Sequence, residues 1–136
     1  MPKRQNAALL AVGKGITNVG GGNWAAWSGV ITVNDNTVEM LNFITPRALI
    51  VKNFQYYLSS FLDTHYYIGW NLIIDGITII ESRWKATDTA HFNDIDMNSF
   101  IIPANSNCII ESHTNQSGDI PTYCVMILKQ IDSKDD

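Results

Sequence analysis

Apolar residues along much of this chain recur at every second position, which is the period of a β-strand. The clearest example is Trp70 to Ser82, where Asp75-Gly76 separates two apolar stretches. Asp-Gly in that setting is the strongest short-range signal of a two-residue hairpin turn. Such a turn predicts three facing pairs along one side: Ile74 with Ile77, Leu72 with Ile79, and Trp70 with Glu81. This side is largely apolar and needs a second sheet to cover it.

Stretches of the same kind recur about every ten residues, separated by turn-forming residues. Strands are predicted at residues 28–33, 37–43, 48–58, 66–74, 77–84, 100–103, 108–112 and 122–131. No stretch carries the 3.6-residue apolar period of a long helix. Many short strands at regular spacing are typical of a β-sandwich or a β-barrel.

For two of these strands, the residue pattern predicts what each face of the strand contacts. In residues 48–58, one set of alternating residues is predicted to face the core: Ile50, Lys52, Phe54, Tyr56 and Leu58. The final strand, 122–131, is apolar on both faces. We therefore expect it to be a central strand or one that a neighbour covers.

Residues 1–27 differ from the rest because glycine is dense among small residues, which disfavours regular structure. Two interpretations stay open: an extended arm on a neighbouring subunit, anchored by Trp24 and Trp27, or a first strand and loop that close the same sandwich. We assign an N-terminal arm to 1–27, a sandwich domain to 28–132 and a charged tail to 133–136.

The composition fits one domain with a substantial core, since 46% of the 136 residues are hydrophobic and only 16% are charged. Such sparse charge favours a protein that buries surface in an assembly. A net charge of −4 argues against nucleic-acid binding. No apolar run approaches a membrane span, and the run at 7–12 is too short for a signal peptide, so we expect cytoplasmic synthesis without export. Cys108 and Cys124 are predicted to be small buried hydrophobes, although a disulfide stays possible.

No catalytic or metal-binding motif stands out. The three histidines, His65, His91 and His113, lack the spacing of metal ligands. The segment 93–98 resembles part of a calcium loop but lacks its glycine and closing glutamate. Glu81 and Glu111 lie in strands, where a glycosidase could place its carboxylates, but a solvent-facing strand glutamate is far commoner. We therefore predict no catalytic residue, no metal and no cofactor, and a protein that is not an enzyme.

Aromatic residues are the stronger candidates for function, because Trp and Tyr anchor protein interfaces and stack on sugar rings. The predicted interface residues are Trp24, Trp27, Tyr66, Tyr67 and Trp84. A long polar stretch, 85–99, is the candidate recognition loop, because long loops carry recognition more often than framework. Its candidate residues are Asp88, His91, Asn93, Asp94 and Asp96.

Residues 28–131 resemble small jelly-roll proteins of tailed-phage virions, including capsid decoration (cement) proteins. The resemblance lies in the Asp75-Gly76 hairpin, in the strand-turn-strand segment IIPANSNCIIES and in a last strand that ends close to the C-terminus. It implies an all-β, jelly-roll-like antiparallel β-sandwich of about eight strands with an extended N-terminal arm. It also implies a homotrimer in the virion, assembled in the host cytoplasm, whose partners are the major capsid protein and its own copies.

An alternative is a lectin-like or receptor-binding module of a virion, in a head fibre or a tail component. It would use Trp84 and the 85–99 loop to bind a glycan or a host receptor. Neither interpretation involves nucleic acid or a membrane. Such virion proteins share no active site, so the resemblance assigns no functional residue here.

Overall fold

The computed structural model describes residues 15–33, 37–58, 67–85, 100–115 and 120–131. These residues form ten β-strands, and no helix occurs among them. The strands are β1 (Ile16–Gly20), β2 (Asn23–Trp27), β3 (Ile31–Val33), β4 (Thr37–Ile44), β5 (Leu49–Leu58), β6 (Tyr67–Ile74), β7 (Ile77–Lys85), β8 (Phe100–Ile102), β9 (Asn107–Thr114) and β10 (Ile120–Gln130). The prediction of an all-β fold is confirmed.

The strands form two antiparallel sheets that pack as a sandwich. One sheet has the order β1-β2-β10-β5-β8, with β3 also paired to β10, and the other has the order β4-β9-β6-β7. Four pairings are nested in the sequence: β3 with β10, β4 with β9, β5 with β8, and β6 with β7. The predicted antiparallel sandwich is thus confirmed.

Part of the glycine-rich N-terminal segment belongs to the six-stranded sheet. Strand β2 pairs with β10, placing Trp27 opposite Val125, and β1 pairs with β2. The turn between them uses three glycines at positive φ, Gly20 to Gly22, which L-residues adopt rarely. Residues 16–27 therefore follow the alternative in which this segment closes the same sandwich, and the division predicted at residue 28 is not a boundary of the sheet. Residues 1–14 and the predicted tail at 133–136 lie outside the described residues.

The Asp75-Gly76 turn forms as predicted, but the facing pairs beyond it differ. Asp75 has φ 50° and Gly76 has φ 83°, as a type I′ hairpin turn requires, and Ile74 faces Ile77. The register then shifts between Leu72 and Ile73. Ile79 becomes an extra residue on β7, and a bulge of this kind moves every later side chain to the opposite face. The other two predicted pairs are wrong: Leu72 faces Ile80, and Trp70 faces Ser82.

A second bulge corrects the face predicted for β5. The register on β10 passes from Asn53 opposite Ile127 to Val51 opposite Leu128, so Lys52 is the extra residue. The inward set is consequently Leu49, Val51, Phe54 and Tyr56. The prediction is right for Phe54 and Tyr56 and wrong for Ile50 and Lys52, which are half-buried and exposed. The side chain of Leu58 lies outside the described part.

Apolar side chains from both sheets fill the space between them. Trp70 of β6 is fully buried, and its ring lies 4.6 Å from that of Phe54 on β5. Cys108 and Cys124 are free and buried, as predicted for small hydrophobes. Burial raises the pKa of each thiol to about 12. Neither thiol is therefore a ready nucleophile in the folded protein.

One polar contact crosses this core. The Tyr56 hydroxyl of β5 hydrogen-bonds the Ser112 hydroxyl of β9, and Ser112 Oγ donates to the Gly69 carbonyl at 3.1 Å. Burial raises the pKa of Tyr56 well above its ordinary value. Gly69 itself has no room for a side chain, because a Cβ there would overlap the Ser82 carbonyl oxygen and meet Arg83 Cα at 3.0 Å.

We predict that Gly69→Ala lowers the free energy of unfolding by about 2–3 kcal/mol, because backbone and not a flexible side chain must move to admit the methyl group. Gly15→Ala is the matched control, since a Cβ at Gly15 meets nothing within 4 Å. We expect the control to lie within about 0.5 kcal/mol of the wild type in urea unfolding. Equal stability of the two variants would contradict the close approach at Gly69.

Candidate functional site

The outer face of the six-stranded sheet is unusually apolar for a surface. Along β10, Cys124 and Met126 are buried in the core while Tyr123, Val125 and Ile127 point outward. We call the outward cluster the aromatic face, which consists of Trp27, Tyr57, Tyr123, Val125 and Ile127. The described strands form two sheets, and none of them adds a third sheet over this face.

The register of the strands brings the aromatic face together. Val125 lies opposite Trp27 on one side, and Tyr123 lies opposite Tyr57 on the other. The two tyrosine rings stack with centroids 4.9 Å apart, and the Tyr57 hydroxyl donates to Gln55 Oε1 at 2.7 Å. Trp27 keeps 38% of its surface exposed. The face therefore presents fixed aromatic rings, the kind of group that dominates binding energy at protein interfaces.

Charge on this sheet is sparse and of one sign. The six strands contain no aspartate or glutamate and only two cations, Lys52 and Lys129. Both are exposed and lie beside the aromatic face, since Lys129 is two residues from Ile127 and Lys52 precedes Asn53, which faces Ile127. The face is thus apolar with a basic end.

The outer face of the four-stranded sheet has a different chemistry. Its registers align four residues across the four strands, which we call the acidic row: Glu39 (β4), Glu111 (β9), Asn71 (β6) and Glu81 (β7). Glu39 directly faces Glu111, an arrangement of like charges that destabilises a sheet. Glu39 Oε1 accepts a hydrogen bond from Asn42 Nδ2 at 3.1 Å.

Isoleucines lie beside the acidic row, at the Asp75-Gly76 end of the same sheet. Two are exposed, Ile44 by 63% and Ile79 by 47%. Ile73 and Ile109 face each other and are half-buried. We call these four residues the isoleucine patch. Ile109 stands two positions before Glu111, and Ile73 stands two positions after Asn71 on the antiparallel neighbour.

The far end of this sheet carries an aromatic and basic cluster. The Arg83 guanidinium carbon lies 4.2 Å from the centre of the Tyr67 ring, and the His113 ring meets Tyr67 edge-on at 5.8 Å. Burial lowers the pKa of His113, and the nearby Arg83 charge lowers it further, while Glu81 acts in the opposite direction. His113 Nε2 is buried without a hydrogen-bond partner among the described residues.

The structure does not bring the five predicted interface residues together. Trp27 lies on the aromatic face, whereas Trp24 turns inward against the core and donates to Gln130 Oε1 at 3.4 Å. Tyr67 lies on the other sheet and contacts Arg83. Trp84 pairs with Ile68 in β7, but its side chain lies outside the described part, as does all of Tyr66.

The predicted recognition loop also lies outside the described residues, including Asp88, His91, Asn93, Asp94 and Asp96. Within the described ranges, no group of three or more His, Cys, Asp or Glu residues is placed to hold a metal ion. Glu81 and Glu111 do not face each other, because Asn71 separates them across the sheet. Their strands are two sheet spacings apart, about 10 Å.

Sequence reasoning found part of this surface and missed the rest. The outward apolar side of β10 was expected, and it supplies three of the five residues of the aromatic face. The acidic row was not, because it depends on the registers of four strands and on a bulge between Glu39 and Leu41. The available signal was the presence of Glu81 and Glu111 in strands.

Comparisons with protein-family models, with curated proteins and with solved structures gave no match to this chain. In the described part of the chain, no helix is long and apolar enough to cross a membrane. Function must therefore be argued from the two outer faces themselves.

The environment of His113 leads to a pH prediction. Because its pKa is lowered in the folded state, the unfolded chain binds the proton first as the pH falls below the ordinary histidine value near 6.5. This contribution makes the wild type lose stability between pH 7 and pH 5. We expect a smaller loss for His113→Gln, which removes the titrating group, measured by urea unfolding across that range.

Arg83→Gln tests the cause of the shift, since it removes the second contribution to the lowered pKa. Its stability should depend on pH less steeply than that of the wild type but more steeply than that of His113→Gln. Identical slopes for all three proteins would show that His113 is not desolvated in the folded state.

Proposed function

We propose that this protein is a non-enzymatic structural component of a virion, a capsid decoration protein that stabilises the phage head through subunit contacts. The observation that carries the proposal is the aromatic face. Its residues are not needed to close the sandwich, because each sheet already buries its inner side against the other. Trp27 and the stacked Tyr57 and Tyr123 are instead placed as interface anchors are.

The proposed partners are the major capsid protein and further copies of this chain, as a homotrimer. A stable contact of this kind buries about 1,000 Å² or more. A single weak contact does little, but the same contact repeated over a symmetric shell resists internal pressure at many points. Multivalent attachment of this sort exceeds the affinity of each separate contact.

The described residues favour this proposal over sugar binding. A lectin uses open aromatic faces on which sugar rings stack. The Tyr67 ring has Arg83 over one face and His113 at its edge, so that face is already occupied. The tyrosines of the aromatic face stack on each other on the outer side of a sheet, a surface that suits a protein partner better than a small ligand.

The test is co-sedimentation with heads of the virus whose genome encodes this chain, prepared without the protein. We expect saturable binding to the heads by the wild type. Ile127→Asp replaces an apolar contact of the aromatic face with a carboxylate. It should weaken binding by about tenfold or more, because desolvating a charge against the neighbouring subunit, whether capsid protein or a further copy, is costly.

Asn18→Asp is the matched control, since it adds the same charge on exposed β1, and its Asp carboxylate can still accept the hydrogen bond that Gly20 N donates to Asn18 Oδ1. It should bind heads as the wild type does. Thermal unfolding of both variants separates lost binding from lost folding. Absence of wild-type protein from sedimented heads would overturn the proposed function.

A further inference from the structure

The two outer faces of the sandwich repeat one layout with opposite charge. On the six-stranded sheet, the aromatic face is followed along the strands by Lys52 and Lys129. On the four-stranded sheet, the isoleucine patch is followed by the acidic row. Each face therefore has an apolar area beside charged residues, which are basic in one case and mainly acidic in the other, with Arg83 beyond the acidic row.

We infer that the aromatic face of one copy binds the isoleucine patch and acidic row of the next copy, in a head-to-tail contact. This inference deepens the proposed function, on which it rests, by naming the surface through which the copies touch. The occupant of each face is thus a second copy of this chain.

Charge decides between the possible self-contacts. A contact of the aromatic face with itself would gather four lysines and no carboxylate from the described strands. A contact of the other face with itself would gather six glutamates against two cations, the Arg83 of each copy, among the described side chains, although Glu39 and Glu111 already face each other within one sheet. The head-to-tail contact alone places Lys52 and Lys129 against glutamates, and such complementarity selects the partner surface.

The apolar areas also suit each other. Ile44 and Ile79 are among the exposed large hydrophobic residues of the described chain. The opposing face offers Trp27 and the flat pair of tyrosine rings. Branched aliphatic side chains against aromatic rings exclude water well, and they leave the charges at the rim of the contact.

The geometry has a consequence for assembly. The two faces lie on opposite sides of the sandwich, so the contact is heterologous, and repeating it gives an open row rather than a closed ring. Along a capsid surface, anchoring raises the effective concentration of the copies, so a contact that is weak in solution suffices. The predicted homotrimer would need a different contact.

Sedimentation velocity over a concentration series tests this inference without heads. The wild type should associate progressively with concentration and less strongly at high salt. Lys129→Glu and Glu111→Lys should each weaken association by at least about tenfold, because like charges then meet in the contact. Arg47→Glu, the same reversal of charge at an exposed residue that belongs to neither the aromatic face, the isoleucine patch nor the acidic row, should associate as the wild type does.

The decisive sample is an equal mixture of Lys129→Glu and Glu111→Lys. The two variants should associate with each other to within about threefold of the wild type, because opposite charges meet again in the mixed contact. Each variant is also measured by itself. If one of them still associates as the wild type does and the other does not, the contact is isologous and the inference is overturned. A closed trimer that ignores both reversals, or a wild type that stays monomeric, would overturn it as well.

The outcomes of this experiment and of the head-binding experiment are independent of each other. A chain that binds heads but ignores both charge reversals keeps the proposed function and loses the head-to-tail contact. A chain that shows the reversals and the mixing effect but never binds heads keeps the contact and loses the proposed function. Thermal unfolding of each variant confirms that the compared proteins are folded.

Discussion

The contact of Tyr56 with Ser112 and the Gly69 carbonyl joins the two sheets through their shared core. A buried hydroxyl without a partner is costly, so this contact ties β5 of one sheet to β9 and β6 of the other at one register. Gly69 belongs to the same constraint, because the backbone of β7 lies too close for any side chain there. With the inner faces matched in this way, the outer faces are not needed to hold the two sheets together.

Those outer faces are where the structure departs from a simple sandwich. On an exposed face of an antiparallel sheet the residues are usually polar, and they alternate along each strand with the apolar residues that face the core. Here the six-stranded sheet presents Trp27, Tyr57 and Tyr123, and the four-stranded sheet presents exposed isoleucines beside the acidic row. Exposed apolar groups that the fold does not need are explained when another protein surface covers them. The sparse charge of the whole chain agrees with this view.

Local features of this fold could be predicted from the sequence, whereas features that depend on strand register could not. The Asp75-Gly76 turn was predictable because two positive φ angles in a row select such residues. The bulges at Lys52 and Ile79 were not, because one extra residue in a strand leaves the apolar pattern nearly unchanged while it reverses the later faces. The acidic row was even less predictable, since it is made by the register of four strands and is not a local motif.

We propose above all that another subunit covers the aromatic face in the assembled particle. A cryo-EM map of the intact virion at side-chain resolution is the most direct test, because each copy can be placed and its neighbours seen. We expect density from a neighbouring subunit, capsid protein or a further copy, packed over Trp27, Tyr123 and Val125. A particle in which this face is open to solvent, or one that lacks the protein altogether, would contradict it.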